Sequence, residues 1–321
     1  ANLTTENSNV FVGFNSGQFN TTGAQNTFLG TRAGQGITGT KLTGNNNVAV
    51  GFQAGKVLQG TATLNTFVGV DAGVAVTTAI DNTFVGGLCG DGTDDGNENV
   101  AVGKSALSGN CGDSNTAVGK DAGEVITGSN NTVVGKSAGK AITSGSNNLF
   151  VGRDAGLTGS PGGNWTTQSN VLVLGDENIT NAYIQVDWTV SSDERDKTDF
   201  ADLDLGLDFV KALEPVTYYW DKRSNYGDKT AEDYDLEAQT PDGTHKEDWM
   251  DIGFKAQSVQ ALEEAAGYKA EDKKNLTVNY GAEGKQLGLQ YSKFVPILVK
   301  AIQEQDAIIQ SLTARIAALE S

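Results

Sequence analysis

The sequence predicts a mainly β protein, in which a solenoid of short repeated coils is followed by a small α+β domain that ends in a long coiled-coil helix. Three observations favour this fold. A five-residue phrase that starts with Asn and ends with Gly recurs through the first half of the 321 residues. Glycine is concentrated there, with 33 of the 41 glycines in residues 1–190. Residues 292–321 repeat apolar side chains every seven positions.

The repeats define the first predicted domain, a β-roll or β-helix shaft over residues 1–156. Ten copies run from Asn9-Val-Phe-Val-Gly13 to a degenerate copy at Asn170-Val-Leu-Val-Leu-Gly175, with 16 to 22 residues between successive asparagines. A short, nearly constant period is typical of a solenoid, in which each coil buries its interior against its neighbours. Each unit has room for two short strands and two turns, and glycine permits the positive φ that tight turns need.

The three residues after each Asn predict a strand that is apolar on both faces. We expect the first and third, such as Val10 and Val12, to fill the coil interior, because the third is always Val or Leu. The second would then face outward, yet it is Phe, Ala or Val, as at Phe11. An outward apolar row needs a cover, and identical chains around an axis supply one. We therefore predict a homotrimeric rod.

In their period and their Asn/Gly phrase, the repeats resemble the head repeats of trimeric adhesins and the shafts of viral fibres. The resemblance implies an architectural role without chemistry of its own. The acidic stretch Asp91–Glu98 invites comparison with a calcium-binding EF-hand loop, but the last ligand position of that loop would be Val102. A solvated turn is the better interpretation, so the sequence predicts neither a metal nor another cofactor.

The balance of charges excludes nucleic acid as a partner. The net charge is −17, from 8 basic and 14 acidic side chains in residues 1–190 and 15 basic and 26 acidic ones in residues 191–321. Neither half therefore offers the basic surface that a phosphate backbone requires. No apolar run approaches the roughly 20 residues that span a bilayer, so we expect no membrane insertion.

Residues for histidine or thiol chemistry are scarce. The only histidine, His245, lies in a polar stretch, and the two cysteines, Cys89 and Cys111, are far apart in the sequence. A zinc site and a Ser-His-Asp triad are both disfavoured on these counts. If the chain performs covalent chemistry, it needs a base other than histidine.

The second predicted domain, residues 192–321, has few glycines and shows helix and strand patterns. Its predicted elements are, in order, a helix from Asp208 that Pro215 ends, a strand at 216–220, a charged loop at 222–250, a helix from Gly253 and a hairpin at 276–291. This order predicts a small α+β domain.

A coiled-coil helix is predicted over about 292–321. Apolar side chains recur every seven residues in two series, interrupted only by Gln305. The series are Val295, Ile302, Ile309 and Ile316, and Leu298, Gln305, Leu312 and Leu319. The seam favours self-association without specifying three chains. An amphipathic helix packed on its own domain is the alternative.

The segment Ser192-Asp-Glu-Arg-Asp-Lys197 lies where the repeats stop, and by itself it could be an inert linker. With Leu213-Glu-Pro-Val-Thr-Tyr-Tyr-Trp220, Gly253-Phe-Lys-Ala-Gln257 and motifs at 289–291 and 301–304, however, it resembles the C-terminal intramolecular chaperone and auto-protease domain of phage tail spikes and tail fibres, the endosialidase type. The resemblance covers residues 191–321. One departure is Ser258, where that family usually has an acidic residue.

The resemblance implies a domain that trimerises the fibre and then releases itself by a cut in cis. Carried over, Ser192 is the nucleophile, Lys197 is the general base and the scissile bond joins Ser191 to Ser192. Residues that support the motif are Asp193, Arg195 and Gln257. A lysine accepts the serine proton only when burial or a nearby cation lowers the amine pKa from about 10.4. Assembly could supply this burial, so that the cut would wait for the trimer.

Residues 157–191 are a predicted connector, which would become the tip of the fibre after the cut. They contain Trp165, Tyr183 and Trp188 in a chain with four tryptophans. Exposed aromatic side chains stack on sugars, so these residues are candidates for contact with a host receptor such as a glycan. Packing in the core of the trimer is the alternative role.

The sequence therefore predicts a phage tail-fibre protein, made in the host cytoplasm and carried outside the cell on the virion. Its expected partners are two further copies of the chain, other tail proteins on its N-terminal side and a host receptor. The alternative is a structural adhesin or fibre whose C-terminal chaperone stays attached. A glycan-degrading tail spike ranks below both, because it needs a carboxylate pair in a cleft and the repeats show only turn-like acidic residues.

Overall fold

The computed structural model of the protein describes residues 8–229, 231, 233–274, 276–282 and 284–320. The chain divides into two compact units. The first contains Ala1–Ile179 and Lys229–Glu232, and the second contains Thr180–Asp228 and Asp233–Ser321. Within the described ranges, no helix has the length and apolar character needed to cross a membrane.

The repeats form a β-solenoid, as predicted. Ten strands of three residues pair in parallel and in sequence order to give one sheet. The strands are β1 Val10–Val12, β2 Thr27–Leu29, β3 Val48–Val50, β4 Thr66–Val68, β5 Thr83–Val85, β6 Val100–Val102, β7 Thr116–Val118, β8 Thr132–Val134, β9 Leu149–Val151 and β10 Leu172–Leu174. Equivalent residues of successive repeats lie side by side, since Phe67 of β4 is in register with Phe84 of β5.

Each described coil contains one strand of the main sheet, where the sequence predicted room for two. Outside that sheet, only isolated bridges at Asn20, Leu42 and Gly60 represent a second ladder in the described part. Turns complete the coil, with left-handed backbone at residues such as Asp71, whose φ is 57°. Single backbone bonds join the turns of successive coils, as where Gly73 N donates to Cys89 O at 2.9 Å.

The two faces of the strands are the reverse of the predicted ones. The second strand residue fills the coil interior, where Phe67 and Phe84 are fully buried, and the third faces outward, where Val85 is 37% exposed. The phenylalanines stack on each other with ring centroids 5.4 Å apart. Where the second residue is Ala, as at Ala101, larger side chains from the turns, such as Leu107, share the interior. The prediction was wrong because both faces are apolar, so alternation could not identify the inner one.

Buried asparagines connect the coils beside the strands. The Oδ1 atom of Asn82 accepts the backbone N–H of Asn99 at 2.9 Å, and its Nδ2 atom donates to Gly96 O at 2.8 Å. Asn65 of the preceding coil accepts in turn from Asn82 N at 3.1 Å. A buried amide that uses both its donor and its acceptor avoids the penalty of an unpaired polar group. This explains why the repeated phrase begins with Asn.

The glycine that ends the phrase is required by the close approach of successive coils. Gly86 has a φ of +144°, and a Cβ atom there would lie 2.4 Å from Gly103 O in the next coil. A side chain would therefore force the coils apart. The repeat phrase thus specifies an asparagine bond at one end of the strand and close backbone contact at the other.

The second unit is a small α+β domain, as predicted. Its elements are a short 3-10 helix Glu194–Asp196, α1 Leu207–Ala212, β11 Val216–Tyr219, β12 Met250–Gly253, α2 Ala256–Ala265, β13 Val278–Tyr280, β14 Leu287–Leu289 and α3 Phe294–Glu320, with further 3-10 turns between them. Strand β11 pairs with β12, and β13 with β14, both antiparallel. The core comprises Leu205, Phe209, Val259, Val278, Phe294 and Ile297.

Strand β12 is the element that the sequence analysis missed. It lies where a charged loop was expected to end and a helix to begin, and α2 starts three residues after it, at Ala256. Ile252 of β12 is opposite Thr217 of β11. A four-residue strand whose two large apolar residues, Met250 and Ile252, are both exposed is too short to be recognised from alternation without its partner.

The long helix α3 packs on its own unit through its first turns only. Phe294, Ile297 and Ala301 are buried there. The residues of the predicted a/d seam remain exposed, for example Ile302, Ile309 and Ile316. The helix therefore uses a different face for contacts within its unit and leaves the heptad seam uncovered.

Candidate active site

The segment Ser192–Lys197 forms a single tight turn. Residues Glu194–Asp196 make a 3-10 helix, and the side chain of Asp193 caps it by accepting the backbone N–H of Arg195 at 2.9 Å. Lys197 N then donates to Glu194 O at 3.1 Å. Asp is a favoured N-cap residue because its carboxylate satisfies N–H groups that the first helical turn leaves unpaired. The turn brings the two ends of the segment together.

The serine and the lysine of the predicted dyad meet across this turn. Lys197 Nζ lies 2.6 Å from Ser192 Oγ and 3.1 Å from the carbonyl oxygen of Ser192. A general base must lie within about 2.6–3.2 Å of the atom whose proton it takes. The distance between Nζ and Oγ satisfies that requirement.

Arg195 fixes the capping carboxylate. Its Nε and Nη2 atoms bond the two carboxylate oxygens of Asp193 at 3.0 and 2.6 Å. The Arg195 side chain and its backbone N–H together lower the pKa of the Asp193 carboxyl, and the carboxylate in turn raises the pKa of Arg195. Both residues therefore position the turn, and neither bonds Ser192 or Lys197 through its side chain within the described part of the chain.

The candidate dyad is open to solvent in the single chain, because every residue from Ser191 to Lys197 is exposed. A lysine acts as a general base only in its neutral form, which burial favours. The single chain thus has the distance for catalysis without the burial that a neutral amine needs.

Gln257, the other predicted motif residue, is not brought to the dyad. It lies exposed in the first turn of α2, and no hydrogen bond joins it to Ser192 or Lys197 among the described residues. Close to α2, an apolar groove of about 570 Å³ is lined by side chains that include Val216, Trp220 and Tyr291. The sequence analysis did not anticipate this groove, because its walls come from segments far apart in the chain.

The three aromatic candidates for receptor contact have different surroundings. Trp165 is partly buried against the core of the solenoid, and its Nε1 atom donates to Pro161 O at 3.2 Å. Tyr183 and Trp188 are exposed, Tyr183 almost completely. Among the described residues, no group of three His, Cys, Asp or Glu side chains could hold a metal ion.

Two carboxylates hold the helices of this unit, that of Glu263, which is buried, and that of Glu304, which is partly exposed. Glu263 of α2 accepts the backbone N–H and the hydroxyl of Thr277 at 2.7 and 2.5 Å, and the N–H of Leu276 at 3.3 Å. Glu304 of α3 accepts the N–H of Leu207, the first residue of α1, at 2.7 Å. The chain that follows the dyad is therefore anchored at α1 to the long C-terminal helix.

Comparison with known families gives a match within the second unit. Residues 192–268 match the family model of the chaperone of endosialidase, the peptidase S74 family. The match begins at Ser192 itself and runs through α2, and it confirms for these residues the resemblance seen in the motifs. It supports a self-cleaving chaperone of assembly. Neither the curated proteins nor the solved structures gave a match to the chain.

Proposed function

We propose that this chain is the subunit of a homotrimeric phage tail fibre whose C-terminal domain directs assembly and then cuts itself off between Ser191 and Ser192. The contact of 2.6 Å between Lys197 Nζ and Ser192 Oγ carries the proposal. The family match, which starts at Ser192, supports it from an independent direction.

The proposed cut begins when neutral Lys197 takes the proton of Ser192 Oγ. The oxygen attacks the carbonyl carbon of Ser191, and the C–N bond between the two residues breaks as the lysine ammonium returns the proton to the leaving nitrogen. The product is an ester between the Ser191 carbonyl and Ser192 Oγ. Water hydrolyses it, which leaves a carboxylate on Ser191 and a free amino group on Ser192. Each chain reacts once, because the reaction consumes its own peptide bond.

Assembly controls the cut in this proposal. In the single chain the dyad is exposed, and burial would favour the neutral amine that the first step requires. Contacts with neighbouring copies would supply the burial. Fibres would therefore lose the chaperone only after the three chains had assembled.

Two exposed apolar surfaces support association between copies. On the solenoid, the third strand residues form an outward column, which we call the outer stripe; it includes Leu29, Val68, Val85, Val102, Val118, Val134 and Val151. On α3, the heptad seam is open along the helix. Apolar surfaces of this extent are typical of interfaces.

The remaining parts of the proposal follow from a fibre role. The N-terminal side of the rod would join other tail proteins, and the released end would face a host receptor, such as a glycan. The protein would then act on the virion, outside the cell.

The test is expression of the full chain and a denaturing gel. We expect fragments of residues 1–191 and 192–321 from the wild type, and intact chain alone from Ser192→Ala and Lys197→Ala. Glu194→Gln, a matched change in the same turn that leaves the dyad intact, should be cut normally. Intact wild-type chain in assembled protein would overturn the cleavage and leave an attached chaperone.

A further inference from the structure

The segment immediately before the predicted cut has the pattern of a strand. Ile184, Val186, Trp188 and Val190 occupy alternate positions, and Gln185, Asp187 and Thr189 occupy the positions between them. Strict alternation over seven residues predicts a half-buried β-strand with one apolar face. The pattern ends one residue before Ser191.

In the single chain this strand does not form. No strand includes residues 184–190, and the four apolar side chains are between 53% and 79% exposed. Four large apolar side chains within seven residues are a costly surface to leave in water, at about 25 cal/mol per Å². The segment therefore has the sequence pattern of a half-buried strand, but its apolar side chains are exposed to solvent in the single chain.

The apolar face of this segment is suited to packing against the same face of other copies of the chain. The segment has a single charged residue, Asp187, and it lies on the polar face. Three identical strands around an axis would turn their apolar faces toward one another and their polar faces to water. In the sequence, the segment stands between the outer stripe and the α3 seam, two further apolar surfaces that copies of this chain would cover.

We propose that residues 184–190 form a strand only in the assembled protein, where three copies pack with Ile184, Val186, Trp188 and Val190 against the axis. This inference rests on the proposed function, to which it adds how assembly positions the scissile bond. The bond between Ser191 and Ser192 then follows the end of an ordered strand, and its carbonyl is held in place only in the trimer. Trp188 would be an interior residue, whereas Tyr183 falls on the outward face.

Cysteine cross-linking tests the arrangement in the full chain. Val186→Cys places a thiol on the apolar face, and Gln185→Cys is the matched control on the polar face. Under mild oxidation we expect cross-linked chains from Val186→Cys and few or none from Gln185→Cys. The native Cys89 and Cys111 are buried, and burial raises the pKa of both thiols, that of Cys89 to about 12, so they should not interfere.

The same pair of positions tests the effect on the cut. Val186→Asp should slow cleavage at least tenfold, and Gln185→Asp should leave the rate within about twofold of the wild type. Equal cross-linking from both faces, no cross-linking from either, or normal cleavage in Val186→Asp would overturn the inference. A wild type that assembles without cleavage would overturn the proposed function instead, and the cross-links made in Ser192→Ala would still test the strand.

Discussion

At the scale of single residues, Asp193 determines how Ser192 and Lys197 meet. Its carboxylate caps the turn and pairs with Arg195, and the chain reverses so that Lys197 Nζ reaches Ser192 Oγ. The sequence analysis predicted the dyad from its motif and its family resemblance. It could not predict the turn, because a spacing of five residues fits an extended linker as well as a reversal.

Titration of Asp193 tests this local arrangement. Because Arg195 stabilises the carboxylate, the pKa of Asp193 is lowered, so the capped turn is present at neutral pH and is lost only as the pH falls through that lowered value. By NMR we expect a midpoint below the ordinary aspartate value of about 3.9, and a higher midpoint in Arg195→Gln. Glu194→Gln serves as the control. A midpoint that Arg195→Gln leaves unchanged would contradict the role of the pair.

At the scale of elements, the solenoid was predictable as a repeat and the orientation of its strands was not. The phrase from Asn to Gly predicts the strands because both flanking residues have structural roles, shown by Asn82 and Gly86. The inner face could not be chosen, since Phe84 and Val85 are both apolar. Stacked rings and residues contributed by the turns decide it, and these contacts arise only when coils lie against each other.

The orientation of the faces predicts unequal effects of neighbouring substitutions. Phe84→Ala removes a fully buried ring that stacks on Phe67, and should lower the free energy of unfolding by about 3–5 kcal/mol. Val85→Ala, on the outer stripe, should cost less than about 1.5 kcal/mol in dilute, unassembled chain. Chemical denaturation measures both losses in a chain that also carries Ser192→Ala, which blocks the cut, and Ile309→Asp, which should keep the chain unassembled. A larger loss of stability from Val85→Ala than from Phe84→Ala would indicate that the third strand residue, and not the second, fills the coil interior.

In the second unit, the buried contacts of Glu263 in helix α2 should contribute to the stability of the domain. Glu263→Ala leaves the N–H groups of Leu276 and Thr277 without their buried acceptor, which should cost about 1–3 kcal/mol for each donor that finds no other partner. The adjacent Glu264 is exposed, so Glu264→Ala is the matched control and should change stability by less than about 0.5 kcal/mol. Thermal unfolding of the two variants measures the difference, and equal melting temperatures would refute the role of Glu263.

At the scale of the whole molecule, the exposed apolar surfaces would link folding to the proposed assembly. The sequence predicted the α3 heptad, and the structure adds that the seam stays open while Phe294 and Ile297 pack inward. A single chain cannot determine how many copies cover the seam. The number of chains is a property of the interface, and neither periodicity nor a single-chain fold fixes it.

Substitution in the seam tests the coupling between assembly and cleavage. Ile309→Asp places a charge on the seam and should abolish the trimer and greatly reduce the cut, because an unpaired charge at an a position is strongly unfavourable. Ser311→Asp adds the same charge away from the seam and should assemble normally. Light scattering gives the mass of the particles and a gel gives the cleaved fraction. Complete cleavage of monomeric Ile309→Asp would show that the cut does not wait for assembly.

Because successive coils of the solenoid pair in register, the length of the solenoid can change by whole repeats. Each parallel strand adds about 4.8 Å along the stack, and most coils present the same asparagine and glycine contacts to the next one. Duplication or deletion of one whole repeat would lengthen or shorten the stack by one step without a new kind of contact. The number of repeats in the sequence would then set the length of the solenoid.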